Sequence, residues 1–219
     1  MMGKEGVKII SKLLLDNKTL ESIDISSNDL GLEGIKSISE VLKNNSTIKT
    51  LNVSNNHLYL EGIRFLSESL RSNNTITDLN ISYNNIGEEG MKNISRLLKN
   101  NRNFHKIDIS SNNLGLKYIC SFIRKNNVIS HIAIDLRDYE RHDLIEALKF
   151  NNSIVSIRFK NNHDLYKIPK FKEQVDDLLE RNKNIKKIKI LIFLFKNSKE
   201  TLFSLVPKMV IVNHILVYL

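Results

Sequence analysis

Apolar positions recur along the chain with a constant step of 28 residues. Each recurrence has two parts: a short stretch in which apolar and polar residues alternate, and a longer stretch with apolar residues three or four positions apart. Alternation is typical of a strand with one buried face, and the longer spacing is typical of an amphipathic helix. The pattern therefore predicts four strand–turn–helix units, whose strand segments begin at Leu20, Ile48, Ile76 and Phe104.

A single unit of this size cannot bury both its strand face and its helix face, but units stacked side by side share one continuous core. Strands then lie beside strands in a parallel sheet, and helices lie beside helices on the other side. Weaker copies of the strand pattern begin at Ile129, Ile154 and Ile185. The sequence therefore predicts an α/β solenoid of about seven repeats over residues 1–195.

Asparagines occupy two fixed places in each unit. One ends the strand pattern, at Asn28, Asn56, Asn84 and Asn112, where its amide can satisfy backbone groups of its own and the adjacent repeat. The other place is an Asn-Asn pair after each helix pattern, which we expect to cap the helix and to tolerate a left-handed backbone. Much of the asparagine content is therefore positional.

This pattern resembles the leucine-rich repeat family, and within it the ribonuclease-inhibitor-like subtype with long helical repeats. The resemblance rests on LxxLxLxxNxL-like segments followed by G-x-E-G and an amphipathic helix, over roughly residues 4–193. It implies a right-handed, horseshoe-shaped solenoid with the parallel β-sheet on the concave face and the α-helices on the convex face. It also implies a non-catalytic protein–protein interaction module that binds an unidentified partner through its concave face.

In such a solenoid the third, fifth, seventh and eighth positions of each strand segment, Ser82 and Ser110 among them, are expected to face solvent. The resulting surface is small and polar with a file of aspartates, and it becomes basic toward the C-terminal end. The predicted protein-binding residues are Asp24, Asn52, Asp78, Asn80, Tyr83, Asp108, Arg158, Lys160, Lys187 and Lys189.

The charge of +9 is distributed unevenly along the chain. Residues 1–110 hold 14 Lys and Arg against 13 Asp and Glu, whereas residues 111–219 hold 19 against 11. A basic end of this kind suits an acidic protein. Nucleic acid is disfavoured, because aromatic side chains are not interleaved with the positive charge and Phe159 should face the core.

Catalytic and cofactor motifs are absent from the sequence. It contains no glycine-rich phosphate-binding motif, and its six histidines are scattered without the spacing of a metal site. The single cysteine, Cys120, lies on a predicted helix between apolar residues and is interpreted as a packing residue. We therefore expect no enzyme activity, no metal and no cofactor.

Two alternative functions depend on local features. The segment VPKMVIVNHILVYL, within the tail at residues 196–219, resembles the start of an F-box, so the tail is either a helical cap or a truncated adaptor-docking segment of a ubiquitin-ligase substrate receptor. The repeats also look like those of Ran-type GTPase-activating regulators. That family uses an arginine in an early strand–helix turn, and the first three turns here contain none.

Features near the two ends of the sequence concern the cellular location of the protein and the completeness of its repeats. The sequence has no signal-peptide pattern, and its strongest apolar run, Ile188–Phe195, is much shorter than the ~20 residues of a spanning helix. We therefore expect no membrane span and a cytoplasmic location. The first repeat begins in its helical half, at Glu5 and Gly6, so we also expect a fragment of a longer repeat protein or a minimal cap.

Overall fold

The computed structural model describes residues 3–137, 140–160 and 168–197. Helices and strands alternate through these residues. The helices are α1 (Gly3–Asp16), α2 (Gly31–Asn44), α3 (Tyr59–Leu70), α4 (Gly87–Asn100), α5 (Leu116–Lys125), α6 (Arg141–Lys149) and α7 (Pro169–Asn197). The strands are β1 (Ser22–Asp24), β2 (Thr50–Asn52), β3 (Asp78–Asn80), β4 (Lys106–Asp108), β5 (His131–Ile134) and β6 (Ser156–Phe159).

The six strands form one parallel sheet in sequence order, from β1 to β6. Each strand pairs with the next at the equivalent repeat position, so that Ile23 lies beside Leu51 and Leu51 lies beside Leu79. This register places every inward-facing residue in one row and every outward-facing residue in another. The predicted α/β solenoid with a parallel sheet is confirmed.

The hydrophobic core lies between the sheet and the layer of helices. In the first repeat, Ile23 and Ile25 from the strand segment are almost fully buried, as are Ile35, Ile38 and Leu42 from α2. Burying an aliphatic side chain of this size contributes about 1.5–3 kcal/mol. Because the next repeats contribute residues of the same kind at the same positions, one cluster extends from Val7 to Leu179.

The asparagines at the strand ends connect neighbouring repeats. The Nδ2 of Asn56 donates to the carbonyl of Ile25 in the preceding repeat at 2.9 Å and to that of Val53 in its own repeat at 3.1 Å. Its Oδ1 accepts from the backbone N–H of Asn28 at 2.9 Å. Asn84 and Asn112 make the same set of bonds. The role predicted for these asparagines is confirmed.

A second asparagine ladder runs along the ends of the helices. The Nδ2 of Asn73 donates to the carbonyls of Leu42 and Asn45, at 2.8 and 3.1 Å, and its Oδ1 accepts from Thr75 and Ile76, each at 3.0 Å. Equivalent bonds recur at Asn101, Asn126 and Asn151. These residues thus satisfy carbonyls of the preceding repeat as well as their own turn.

The left-handed backbone predicted after the helices is wrong. Asn45 has φ −78° and ψ 128°, because the side-chain bonds of the ladder hold this residue extended. Left-handed residues lie instead in the turns that follow the strands. The non-glycine residues with positive φ are Ser27, Asp29, Asn55, His57, Tyr59, Tyr83, Asn85, Ser111 and Asn113.

The predicted seventh strand is also wrong. Residues 185–193 belong to α7, so Lys187 and Lys189 lie on a helix and not on the concave sheet. The segment alternates like a strand, but Ile185, Ile188 and Ile192 also follow helical spacing. No glycine or second proline interrupts the segment after Pro169. A helix can therefore continue where the earlier repeats turn.

The C-terminal helix α7 is joined to α6 by an arginine that the sequence did not single out. The Arg181 guanidinium donates to the carbonyls of Leu148, Lys149 and Asn151 at 3.1, 3.1 and 2.6 Å. These carbonyls lie in the last turn of α6 and just beyond it, and that of Leu148 also accepts the Asn151 N–H at 3.0 Å. Partial burial lowers the pKa of Arg181. The contact ties the last described helix to the repeat before it.

A test of the left-handed turns uses Gly87, which has φ +67° and no atom within 4 Å of an added Cβ. Gly87→Ala should lower the free energy of unfolding by about 1 kcal/mol, since only backbone strain opposes the methyl group. Gly87→Asn should cost less than half as much, because asparagine tolerates this conformation. Urea denaturation measures both variants. Equal stability of Gly87→Ala and the parent would contradict the assignment.

Candidate protein-binding surface

Two adjoining hollows lie on the concave face of the sheet. The smaller, of about 300 Å³, is lined by β1 to β4 together with Arg158 and Lys160. The larger, of about 510 Å³, is lined by β4 to β6 together with Asp78 on β3 and Lys186 on α7. Four side chains line both hollows and so mark the centre of the face: Asp78, Lys106, Asp108 and Arg158.

The polar residues that end the first four strands also build the turns that follow. The Oδ1 of Asp24 accepts from the backbone N–H and the hydroxyl of Ser26, at 3.0 and 2.6 Å. The hydrogen bonds with Ser26 hold the pKa of Asp24 below its ordinary value. Asn52, Asn80 and Asp108 accept the equivalent backbone bond. One oxygen of each side chain is therefore committed to the fold, and only the remaining atoms can meet a partner.

The seventh position of the motif does not face solvent in every repeat. Ser82 and Ser110 are almost fully buried, and their hydroxyls donate to the strand-end side chains of Asn80 and Asp108 at 2.8 and 2.6 Å. The expectation that these serines contribute to the exposed concave surface is wrong. Their position completes the turn, because a short hydroxyl side chain satisfies the strand-end acceptor there.

Asp108 and Lys160, two predicted binding residues, contact each other. The Nζ of Lys160, which follows β6, lies 3.0 Å from Oδ2 of Asp108 on β4, and both side chains are largely withdrawn from solvent. The ion pair spans β5 and neutralises part of the charge at the centre of the face. A partner that bound either residue would have to compete with this pair.

Arg158 and Tyr83 are exposed, whereas Asp78 is half-buried at the centre of the face. Arg158 is exposed at the boundary of the two hollows, and Asp78 accepts from the Thr77 hydroxyl at 2.8 Å. Tyr83 is 49% exposed in the turn after β3, outside both hollows. The structure thus brings Asp78 and Arg158 together and leaves Tyr83 at the edge of the face.

Four titratable residues of the larger hollow were not among the predicted binding residues: Lys106, His131, Lys186 and His105. Lys106 and His131 lie on exposed positions of β4 and β5, and Lys186 reaches the hollow from α7. Desolvation, followed by the charges of Lys106 and Lys186, lowers the pKa of His131. The strand alternation marked the first two as exposed. No sequence signal placed Lys186 there, because its position depends on how α7 packs.

The predicted alternatives depend on features away from this face. The F-box-like resemblance starts at residue 206 and lies outside the described residues. The turns after β1, β2 and β3 are described, and they contain no arginine.

Within the described ranges, no group of three or more His, Cys, Asp or Glu side chains could hold a metal ion. No helix in the same ranges combines the length and apolar character needed to cross a membrane.

Cys120 is buried on α5, and it is free of disulfide bonding. Burial, reinforced by the negative charge of Asp143, raises the pKa of the Cys120 thiol to about 12. A thiol in this environment is almost entirely protonated at neutral pH and is a weak nucleophile. The residue is therefore a packing residue, as its apolar neighbours predicted.

Thiol labelling tests this assignment. At pH 8 the native protein should react with iodoacetamide at least ~100-fold more slowly than the protein unfolded in urea, because both the thiolate fraction and access are reduced. Mass spectrometry of the labelled protein measures the rates, and Cys120→Ser gives the background. Native labelling at nearly the unfolded rate would show that the thiol is accessible and activated.

Comparison with known proteins agrees with the repeat architecture. A family model described as Leucine Rich repeat matches residues 16–39, 44–67 and 72–95. No curated protein matches the sequence at a significant level. Among solved structures, actin-binding site 2 of leiomodin-1 superposes with a TM-score of 0.55 at 18% identity, covering 89% of this chain and 98% of that chain.

The tropomodulin C-terminal domain from Caenorhabditis elegans superposes with a TM-score of 0.53 at 17% identity, covering 84% of this chain and 98% of that chain. At these identities the two similarities concern the fold. Together with the family-model matches at three consecutive repeats and the six-stranded parallel sheet, they show that this chain folds as a leucine-rich-repeat solenoid.

Proposed function

We propose that this chain is a non-catalytic module that binds a protein partner through its concave face. The observation that carries the proposal is the pair of adjoining hollows on the open face of the sheet, lined by acidic, basic and amide side chains from neighbouring strands. The curvature of a solenoid presents such a face as one extended binding surface.

The chemistry of the face favours a protein over a small molecule. Its exposed residues include an arginine and a tyrosine, Arg158 and Tyr83, which are residue types enriched among the energetic hot spots of protein interfaces. Aspartates lie on β1, β3 and β4 and basic side chains lie on β4 and β6, so a complementary partner would gain orientation from several charge pairs. We therefore assign the strongest contributions to Asp78, Tyr83 and Arg158.

The other predicted residues are proposed to contribute less. Asp24, Asn52, Asn80 and Asp108 already hold the turns, and Lys160 already pairs with Asp108. Lys187 and Lys189 belong to α7, so any contribution from them would come from the C-terminal edge of the surface. Lys106 and Lys186 are added to the surface in their place.

Actin is the first partner to test. The leiomodin-1 structure with the same fold is named for an actin-binding site, and this is the only ligand that the names of the two neighbours supply. The proposal does not depend on actin, because a leucine-rich-repeat face accommodates many partners. Other partners would be identified by affinity capture and then purified.

The test measures direct binding of the purified partner to the parent chain and to the triple variant Asp78→Ala, Tyr83→Ala, Arg158→Ala by calorimetry. Truncating the side chains at the centre of a protein interface costs about 2 kcal/mol or more of binding free energy, so the affinity for the partner should fall at least ~30-fold. Asp108 is left intact, because its replacement would also remove the acceptor of the Ser110 turn.

The matched control is the triple variant Glu40→Ala, Arg64→Ala, Glu68→Ala. These side chains are exposed on α2 and α3, on the opposite side of the repeats, and their removal should change the affinity less than twofold. Circular dichroism verifies that both variants are folded. Equal binding by the concave variant and the parent would refute the proposed surface, and turnover of a bound substrate would refute the non-catalytic role.

A further inference from the structure

Apart from the two concave hollows, a groove lies between α4 and α5 on the convex side of the solenoid. It encloses about 480 Å³, and its floor includes Leu98, Tyr118 and Phe122. Five positively charged side chains line it, namely Lys92, Arg96, Lys99, Arg102 and Lys125, and no acidic residue is among its lining residues. The groove is therefore the most uniformly basic surface described so far.

The groove opens where the repeat length changes. The helix-end asparagines Asn101 and Asn126 are 25 residues apart instead of 28, and α5 has 10 residues whereas α4 has 14. The three residues without a counterpart in the shorter repeat are Glu88, Glu89 and Gly90. The deletion shortens α5 beside α4 and also removes the acidic first turn that α2, α3 and α4 possess.

A charge reversal within the repeat pattern adds to the positive potential. The position held by Glu40 on α2 and by Glu68 on α3 is held by Arg96 on α4. On either side of it the three helices carry basic residues at equivalent positions, Lys92 and Lys99 in α4. In α2 and α3 the glutamate offsets its two basic neighbours, whereas in α4 all three charges have the same sign.

Among the described residues, Lys92 is the one groove cation of the five with a charged partner. Lys92 pairs with Glu89 at 2.5 Å and lies 5.6 Å from the centre of the Tyr118 ring. Arg102 donates to the amide oxygen of Asn127 at 2.7 Å. Within the part of the chain that the structure describes, Arg96, Lys99 and Lys125 form no ion pair. Their charges are available to an anionic partner.

We propose that this groove binds an acidic protein segment that places an apolar side chain beside Tyr118, the half-buried member of the floor, and its carboxylates against Arg96, Lys99 and Lys125. A peptide fits better than a nucleic acid, because base stacking needs an accessible aromatic face. The Lys92 ammonium lies over the Tyr118 ring, and Phe122 is only 6% exposed. The groove is independent of the concave face and of its proposed partner.

The test is fluorescence anisotropy of the full chain with a labelled peptide rich in glutamate and containing two leucines, at about 0.1 M salt. The parent should bind with a dissociation constant of about 10 μM, and Arg96→Glu with Lys99→Glu should weaken binding at least ~30-fold. Arg96→Glu restores the residue of the two preceding repeats, so it should not disturb folding. A melting curve checks the double variant.

The matched control is Lys36→Glu with Lys43→Glu, which makes the same charge change at the repeat positions of Lys92 and Lys99, but on α2. It should change peptide affinity less than twofold, as should the concave triple variant. An equal loss in the α2 variant would show unspecific charge attraction and overturn the proposal. Tighter binding of an oligouridylate than of the peptide, or no binding of the peptide, would also overturn it.

Discussion

The structure depends on one recurrent interaction, the buried asparagine amide that joins each repeat to the preceding one. Asn56, Asn84 and Asn112 are at most 1% exposed, and each bonds carbonyls on both sides of a repeat boundary. A buried amide or carbonyl left without a partner costs about 1–3 kcal/mol. The amides find their hydrogen-bond partners only when neighbouring strands are in register, so they favour the alignment of equivalent positions 28 residues apart. Apolar burial stabilises the stack, and the amides determine how it is aligned.

The repeats lose their regularity in the fourth and fifth units, and both proposed surfaces border that change. Arg137 stands where an asparagine would continue the strand-end row, and Asp135 accepts the backbone N–H of Ser111. The preceding repeat is already three residues shorter, the basic charge accumulates toward the C-terminal end, and α7 replaces a further strand. The larger concave hollow includes β5 and β6, and the convex groove borders α5. Regular repeats thus build the scaffold, and irregular repeats give it distinct surfaces.

Sequence reasoning succeeded where the relevant neighbours are fixed by the repeat. The burial of Ile23, the register of the sheet and the bonds of Asn56 follow from copies one repeat away. Sequence reasoning failed where a side chain contacts a strand or helix whose position is not determined by the 28-residue repeat. The Asp108–Lys160 pair crosses β5, and Lys186 enters the hollow from α7. Local alternation after Ile185 fits a strand and a helix equally well, and tertiary packing decides between them.

The most direct test of the inter-repeat coupling is amide hydrogen exchange in Asn84→Ala. The loss of this amide removes the acceptor of the Asn56 N–H and the donor to Val53, both in the preceding repeat. The opening free energy of the Asn56 amide should fall by about 2–3 kcal/mol, whereas Asn44→Ala, at an exposed helix end, should leave it unchanged. A loss of protection confined to the Asn84 turn would contradict coupling between repeats.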